Sequence, residues 1–113
     1  GDKLKTARRL FTKKIITSLP DVIITSNDLI AQGIISAAHE NGINIPNDMQ
    51  ITGFDDLLSS AYFIPSVTTV SQNIDELAKR CFSMLMDLIN KKSSVSSIIE
   101  QNIIARNSAK INI

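Results

Sequence analysis

Short apolar runs alternate with amphipathic segments of helical length, and this alternation limits the folds open to the chain. The predicted strands are 21–25, 49–53, 67–70 and 98–105, and the predicted helices are 3–18, 29–38 and 73–90. Strands alternating with helices favour a parallel sheet with right-handed crossovers and flanking helices. With 113 residues the chain can build one modest core. We therefore predict a single α/β unit over 1–113.

The second predicted helix is rich in small residues on one side. Gly33, Ser36 and Ala37 would let a sheet or another helix approach closely, and Gly42 is placed to end the helix in a left-handed turn. The preceding Ser26-Asn27-Asp28 offers helix-capping side chains.

The helix 73–90 has the strongest apolar stripe of the three. Asn73 and Glu76 have the spacing of a capping box. Cys81 is the only cysteine and falls in the apolar pattern, which predicts a core thiol in a reducing compartment rather than a reactive nucleophile.

Two acidic residues follow the strand 49–53. The strand stops at Gly53, and Asp55 and Asp56 come where the backbone turns. Ligands of parallel α/β sheets bind at the carboxyl ends of strands, so Asp55 lies where a ligand would bind.

The loop 54–65 is long for such a unit, which favours a functional or interface role. An exposed pair of Tyr62 and Phe63 in this loop would indicate a subunit contact.

Composition and motif content argue against several function classes. Twelve basic and eleven acidic residues give a net charge of +1, so these residues lack the basic footprint of a domain that itself grips DNA. No run approaches the ~20 apolar residues of a membrane span, and the first residues lack a signal-peptide pattern. The sequence shows neither a glycine-rich phosphate loop nor Cys/His metal spacing. We predict no cofactor, metal or catalytic residue, because the adjacent carboxylates of Asp55 and Asp56 would point apart and no base or nucleophile accompanies them.

Several ordered motifs together resemble the C-terminal part of the effector-binding domain of LacI-family transcriptional regulators. They are Asp21-Val22-Ile23-Ile24-Thr25-Ser26-Asn27-Asp28, the helix with Ala31 and Gly33, Ile45-Pro46-Asn47-Asp48, Ile51-Thr52-Gly53-Phe54-Asp55-Asp56, Tyr62 through Pro65, Thr68-Thr69-Val70 with Gln72, and Arg106-Asn107-Ser108. The match runs through nearly the whole chain.

The resemblance implies a partial type I periplasmic-binding-protein-like fold, mainly its C-terminal subdomain. In the complete fold two α/β subdomains close on a small ligand. The resemblance further implies a cytoplasmic homodimeric repressor or related regulator that binds DNA through an upstream helix-turn-helix missing here. It also places 73–92 in the opposite subdomain, so we expect this helix to be swapped between chains or to mediate association.

Asn27, Asp55 and Gln72 match the family's cleft residues, and the resemblance implies that they bind a sugar or sugar-like effector. A carboxylate can accept hydrogen bonds from two sugar hydroxyls, and each amide offers both donors and an acceptor. Helix capping by Asn27 and turn capping by Asp55 remain alternatives, and Asp56 is expected to act in the turn. A secreted sugar-binding receptor of an importer is the alternative function, because it shares this fold and cleft.

Overall fold

The helices and strands follow one another in the order that the sequence predicts, with one short helix added. The computed structural model describes residues 1–112. Its helices are α1 (Lys3–Lys13), α2 (Asp28–Glu40), α3 (Leu58–Tyr62) and α4 (Ile74–Ile89), and a 3-10 helix (Ile15–Thr17) follows α1. Its strands are β1 (Val22–Ile24), β2 (Gln50–Thr52), β3 (Thr69–Ser71) and β4 (Asn102–Ile104). The added helix, α3, lies in the predicted long loop.

Parallel pairing organises the centre of the molecule, as predicted for this α/β fold. β1 pairs with β2 in parallel, and Ile23 is opposite Ile51. A parallel bridge between Thr52 and Thr68 places the chain leading into β3 on the other side of β2. β4 differs from the expected pattern because it pairs with β3 in antiparallel orientation. The intervening α4 does not pack on the sheet as a crossover helix, so the chain returns along β3 in the opposite direction.

The strand β1 is largely exposed, although a nearly continuous apolar run such as 22–24 predicts a central parallel strand buried on both faces. Val22 is 48% exposed and Ile24 is 81% exposed. Within residues 1–112, β1 pairs with β2 on one side and with no strand on the other, which leaves it at an edge.

The core lies between β2 and the helix pair α1 and α2. Phe11, Ala31 and Ile51 have no exposed surface. A Cβ atom at Gly33 would lie 2.7 Å from the Leu4 carbonyl oxygen, so the predicted close approach at this small residue is confirmed, with α1 as the neighbour. Gly42 has a φ of 72° and ends α2 in the predicted left-handed turn.

The helix α4 extends away from this core. None of its residues is buried, and its exposed apolar residues are Ile74, Leu77, Phe82, Leu85, Met86, Leu88 and Ile89. The prediction of a core thiol at Cys81 is therefore wrong, because Cys81 is exposed. None of the helices in the described part of the chain is both long and apolar enough to cross a membrane.

The predicted capping box at the start of α4 is also wrong. Asn73 has a left-handed backbone with φ of 51°, and its side chain makes no capping hydrogen bond. It bonds instead to the strand β4 region, donating to the Glu100 carbonyl and accepting from Asn102 Nδ2. These contacts hold the first turn of α4 next to the start of β4.

Candidate functional site

Two of the three predicted ligand residues are in direct contact. Asp55 follows β2 and Gln72 follows β3, so both lie at carboxyl ends of strands. Gln72 Nε2 donates a hydrogen bond to Asp55 Oδ1 at 2.7 Å, and the Asp55 backbone N–H donates to the Val70 carbonyl at 3.0 Å. The carboxylate and the amide therefore orient each other.

Asn27 lies after β1 but has a helix-capping contact of its own. Its Oδ1 accepts a hydrogen bond from the Ile30 backbone N–H at 3.0 Å, which makes it the N-cap of α2. Within residues 1–112, its hydrogen bonds do not join it to Asp55 or Gln72. The cap uses the side-chain oxygen and leaves the Nδ2 group out of that contact, so capping and ligand contact are compatible for Asn27.

Asp56 forms an ion pair, which agrees with its expected role in the turn. Its Oδ1 accepts a hydrogen bond from Arg106 Nη2 at 2.7 Å in a mostly buried ion pair. Arg106 also donates from Nη1 to the Val67 carbonyl at 3.0 Å. The ion pair thus ties the turn after β2 to the segment that follows β4.

A cavity of about 450 Å³ opens beside Asp55, between the turn after β2 and the first turns of α4. Its lining residues are Asp55, Asp56, Ser71, Asn73, Ile74, Asp75, Glu76 and Lys79. Four carboxylates and one ammonium group favour a polar ligand that donates several hydrogen bonds, such as a polyol.

The sequence interpretation missed the α4 side of this cavity. Ser71, Asp75 and Lys79 have no predicted site role, and the signal that the sequence offers is the polarity of residues close to Gln72. In residues 1–112 no group of three or more His, Cys, Asp or Glu side chains is arranged to hold a metal ion.

Comparisons with known proteins agree on one kind of protein. Residues 2–109 match the family described as periplasmic binding protein-like domain. The HTH-type transcriptional repressor PurR of Pasteurella multocida is 35% identical over 95 residues, which are 82% of this chain and 28% of that protein.

Solved structures show the same similarity. The periplasmic binding ribose operon repressor protein of Lactobacillus acidophilus is 31% identical with a TM-score of 0.85, covering 97% of this chain and 41% of that one. A LacI-type transcription regulator from Bifidobacterium animalis subsp. lactis is 26% identical with a TM-score of 0.81, covering 96% of this chain and 39% of that one. The chain spans about a quarter of the length of the curated relatives it matches, 28% and 24% for two of them.

Proposed function

The chain belongs to the periplasmic binding protein-like domain family, as a fragment of a LacI-family effector-binding domain, and from this we propose that it binds a sugar or sugar-like effector for a transcriptional regulator. The role is one of binding rather than catalysis. Its place of action is the cytoplasm, where the regulator meets DNA.

The observation that carries this proposal is the contact between Asp55 and Gln72 beside the cavity. Asp55 Oδ2 can accept from a sugar hydroxyl while Oδ1 keeps the Gln72 contact, and the Gln72 side-chain oxygen adds an acceptor. Because the two side chains already hold each other in place, less conformational entropy is lost on binding than for two free side chains. Asn27 contributes the third polar group from the end of β1.

The effector controls DNA binding through its relative affinity for two arrangements of the complete regulator. In this proposal it bridges two subdomains and changes the relative geometry of the DNA-binding heads of a homodimer. A ligand shifts such an equilibrium only by its difference in affinity for the two states. The segment 73–92, which includes α4, belongs to the opposite subdomain in this proposal.

An exposed apolar surface at α3 supports the homodimer. Leu58, Tyr62 and Ile64 are 79%, 78% and 88% exposed, whereas Phe63 packs against the core. A second copy of the regulator would cover this surface. We expect Tyr62→Asp in the full-length protein to shift sedimentation towards monomer, and an unchanged dimer would exclude this surface.

The effector role is tested with the full-length protein and a panel of sugars and nucleosides. We expect at least one compound to change operator affinity, measured by fluorescence anisotropy on DNA selected from a random library. Asp55→Asn should weaken that response about tenfold or more, because it removes a charged acceptor while keeping the shape of the side chain.

A matched control makes the same Asp-to-Asn change at the opposite end of the strands. Asp21→Asn lies before β1, away from the carboxyl ends of the strands, and should leave the response unchanged. If no member of the panel alters operator affinity, the small-effector proposal fails.

The alternative, a secreted receptor of an importer, shares the fold and the cleft. The repressor names of the matched relatives favour the regulator. The intact mass and N-terminal sequence of the natural protein separate the two. A helix-turn-helix head supports the regulator, and a cleaved secretory signal without such a head supports the receptor.

A further inference from the structure

A fully buried carboxylate lies next to the proposed ligand residues. Asp28 has no exposed surface, and it accepts three hydrogen bonds. Its Oδ1 accepts from the Thr69 hydroxyl at 2.6 Å. Its Oδ2 accepts from the Ser60 hydroxyl at 2.7 Å and from the Leu57 backbone N–H at 2.8 Å. A buried carboxylate is tolerated when hydrogen-bond donors surround it in this way. The three donors on Thr69, Ser60 and Leu57 fix the orientation of the Asp28 carboxylate.

The partners of Asp28 belong to the segments that carry the candidate ligand residues. Asp28 itself follows Asn27 directly. Its backbone N–H donates to the Phe54 carbonyl at 2.9 Å, and Leu57 closes the same loop, so Asp55 lies between two attachment points. Thr69 begins β3, which ends next to Gln72.

The Thr69 hydroxyl extends this connection to the turn after β2. While it donates to Asp28, it accepts from the Asp56 backbone N–H at 3.3 Å. One side chain on the strand before Gln72 therefore contacts both the buried carboxylate and the residue after Asp55.

We infer that Asp28 is a positioning residue whose buried carboxylate fixes the relative placement of Asn27, Asp55 and Gln72. This inference rests on the proposed function for the importance of those three residues. Asp28 has its oxygens occupied by protein donors and does not contact the effector. It acts through the Thr69 hydroxyl on the strand that presents Gln72 to Asp55.

Thr69 and Ser60 provide a matched pair of variants. Both hydroxyls are buried, both donate to Asp28, and each accepts one further hydrogen bond, Ser60 from Gln32 Nε2 at 3.1 Å. Thr69→Val and Ser60→Ala therefore each remove one donor to the carboxylate. The difference is that Ser60 belongs to α3, whereas Thr69 belongs to the strand leading to Gln72.

The readout is the side-chain amide of Gln72 in the full-length protein labelled with 15N-glutamine and free of ligand. Its signals are assigned by their loss in Gln72→Ala. In Thr69→Val we expect changed Gln72 amide shifts and about tenfold faster exchange of its protons with water, because the contact with Asp55 weakens. In Ser60→Ala we expect the wild-type signals, and Thr69→Ser, which keeps the hydroxyl, should restore them.

Equal responses in Thr69→Val and Ser60→Ala, or no response in either, would overturn the inference and leave Asp28 a general contributor to stability. Because Thr69→Val also removes the acceptor of the Asp56 N–H bond, Asp28→Asn is measured as well and should change the same Gln72 signals, and unchanged signals in Asp28→Asn would also overturn the inference. The measurement uses no effector, so a failed sugar panel and a failed positioning role are distinguishable results.

Discussion

At the scale of single residues, the turn after β2 is unusual because two successive acidic residues have positive φ. The φ angles are 106° for Asp55 and 54° for Asp56. Positive φ costs energy for residues other than glycine, although Asp and Asn tolerate it better than most. Arg106, Thr69 and the Val70 carbonyl hold these two residues in place. The strained turn directs Asp55 towards Gln72.

Gly53 is required where this turn begins. A methyl group there would overlap Asp28 Oδ1 and lie 3.1 Å from Asp28 Cα. We expect Gly53→Ala to lower the free energy of unfolding in urea by about 2 kcal/mol or more, since a packed backbone and a buried carboxylate must both shift.

Gly42→Ala is the comparison, because a Cβ atom there meets no neighbour and the cost of about 1 kcal/mol comes from its φ of 72° alone. Equal losses for the two variants would show that the space around Gly53 is not limiting.

The sequence predicted that Asp55 and Gln72 both lie at carboxyl ends of strands, but it predicted neither their hydrogen bond nor the role of Asp28. Side chains that follow neighbouring parallel strands lie at the same end of the sheet, and this expectation requires only the positions of the strands. Asp28, however, looked like a capping residue, because its side-chain partners Leu57, Ser60 and Thr69 are 29, 32 and 41 residues away. No local pattern indicates such contacts.

At the scale of elements, α1 and α2 pack closely against each other at Gly33. Besides the Leu4 oxygen, a Cβ atom at Gly33 would meet Ala7 Cβ at 3.0 Å. Arg8 crosses the same interface and pairs with Glu40 at 2.6 Å.

We expect Gly33→Ala to destabilise the protein by about 1–2 kcal/mol, although alanine is the better helix former, because the added methyl group separates the helices. Urea unfolding of the full-length protein measures this loss. His39→Ala is the control, because His39 is exposed on the same helix and its replacement should change stability by less than about 0.5 kcal/mol. A more stable Gly33→Ala would mean that the interface relaxes freely.

The sequence predicts which helices and strands form better than it predicts which of their residues are buried. The apolar stripe of α4 predicts a helix and indicates that one face needs a partner, but it does not identify the partner. For this reason the helix prediction is confirmed while the prediction of a buried Cys81 is wrong. The antiparallel pairing of β4 differs from the prediction for the same reason. The crossover rule for parallel strands assumes that the connecting helix packs on the sheet, and α4 does not.

At the scale of the whole molecule, the chain is elongated. Its radius of gyration is 17.8 Å, against about 13 Å for a compact domain of this length. The principal extents are 59 × 35 × 22 Å. The projecting α4 accounts for this shape, and its exposed apolar face remains without a covering surface in residues 1–112.

We expect the 113-residue chain alone to associate through α4, since covering each large apolar side chain stabilises by about 1.5–3 kcal/mol. Sedimentation should give a dimer or a larger species, and Phe82→Glu should shift it to monomer. Ser83→Glu, at the neighbouring exposed position, is the control. A monodisperse wild-type monomer with α4 protected from proteolysis would contradict the prediction.

The buried carboxylate of Asp28 has a practical consequence for changing what such a sensor responds to. Because its hydrogen bonds are made to protein donors, positions 27, 55 and 72 can be varied without removing the group that aligns them. A mutant library for a biosensor with a new target should therefore randomise those three positions and keep Asp28, Gly53 and Thr69 constant. At position 27 the library should keep to side chains that can cap α2, such as Asn, Asp, Ser and Thr, because Asn27 is the N-cap of that helix.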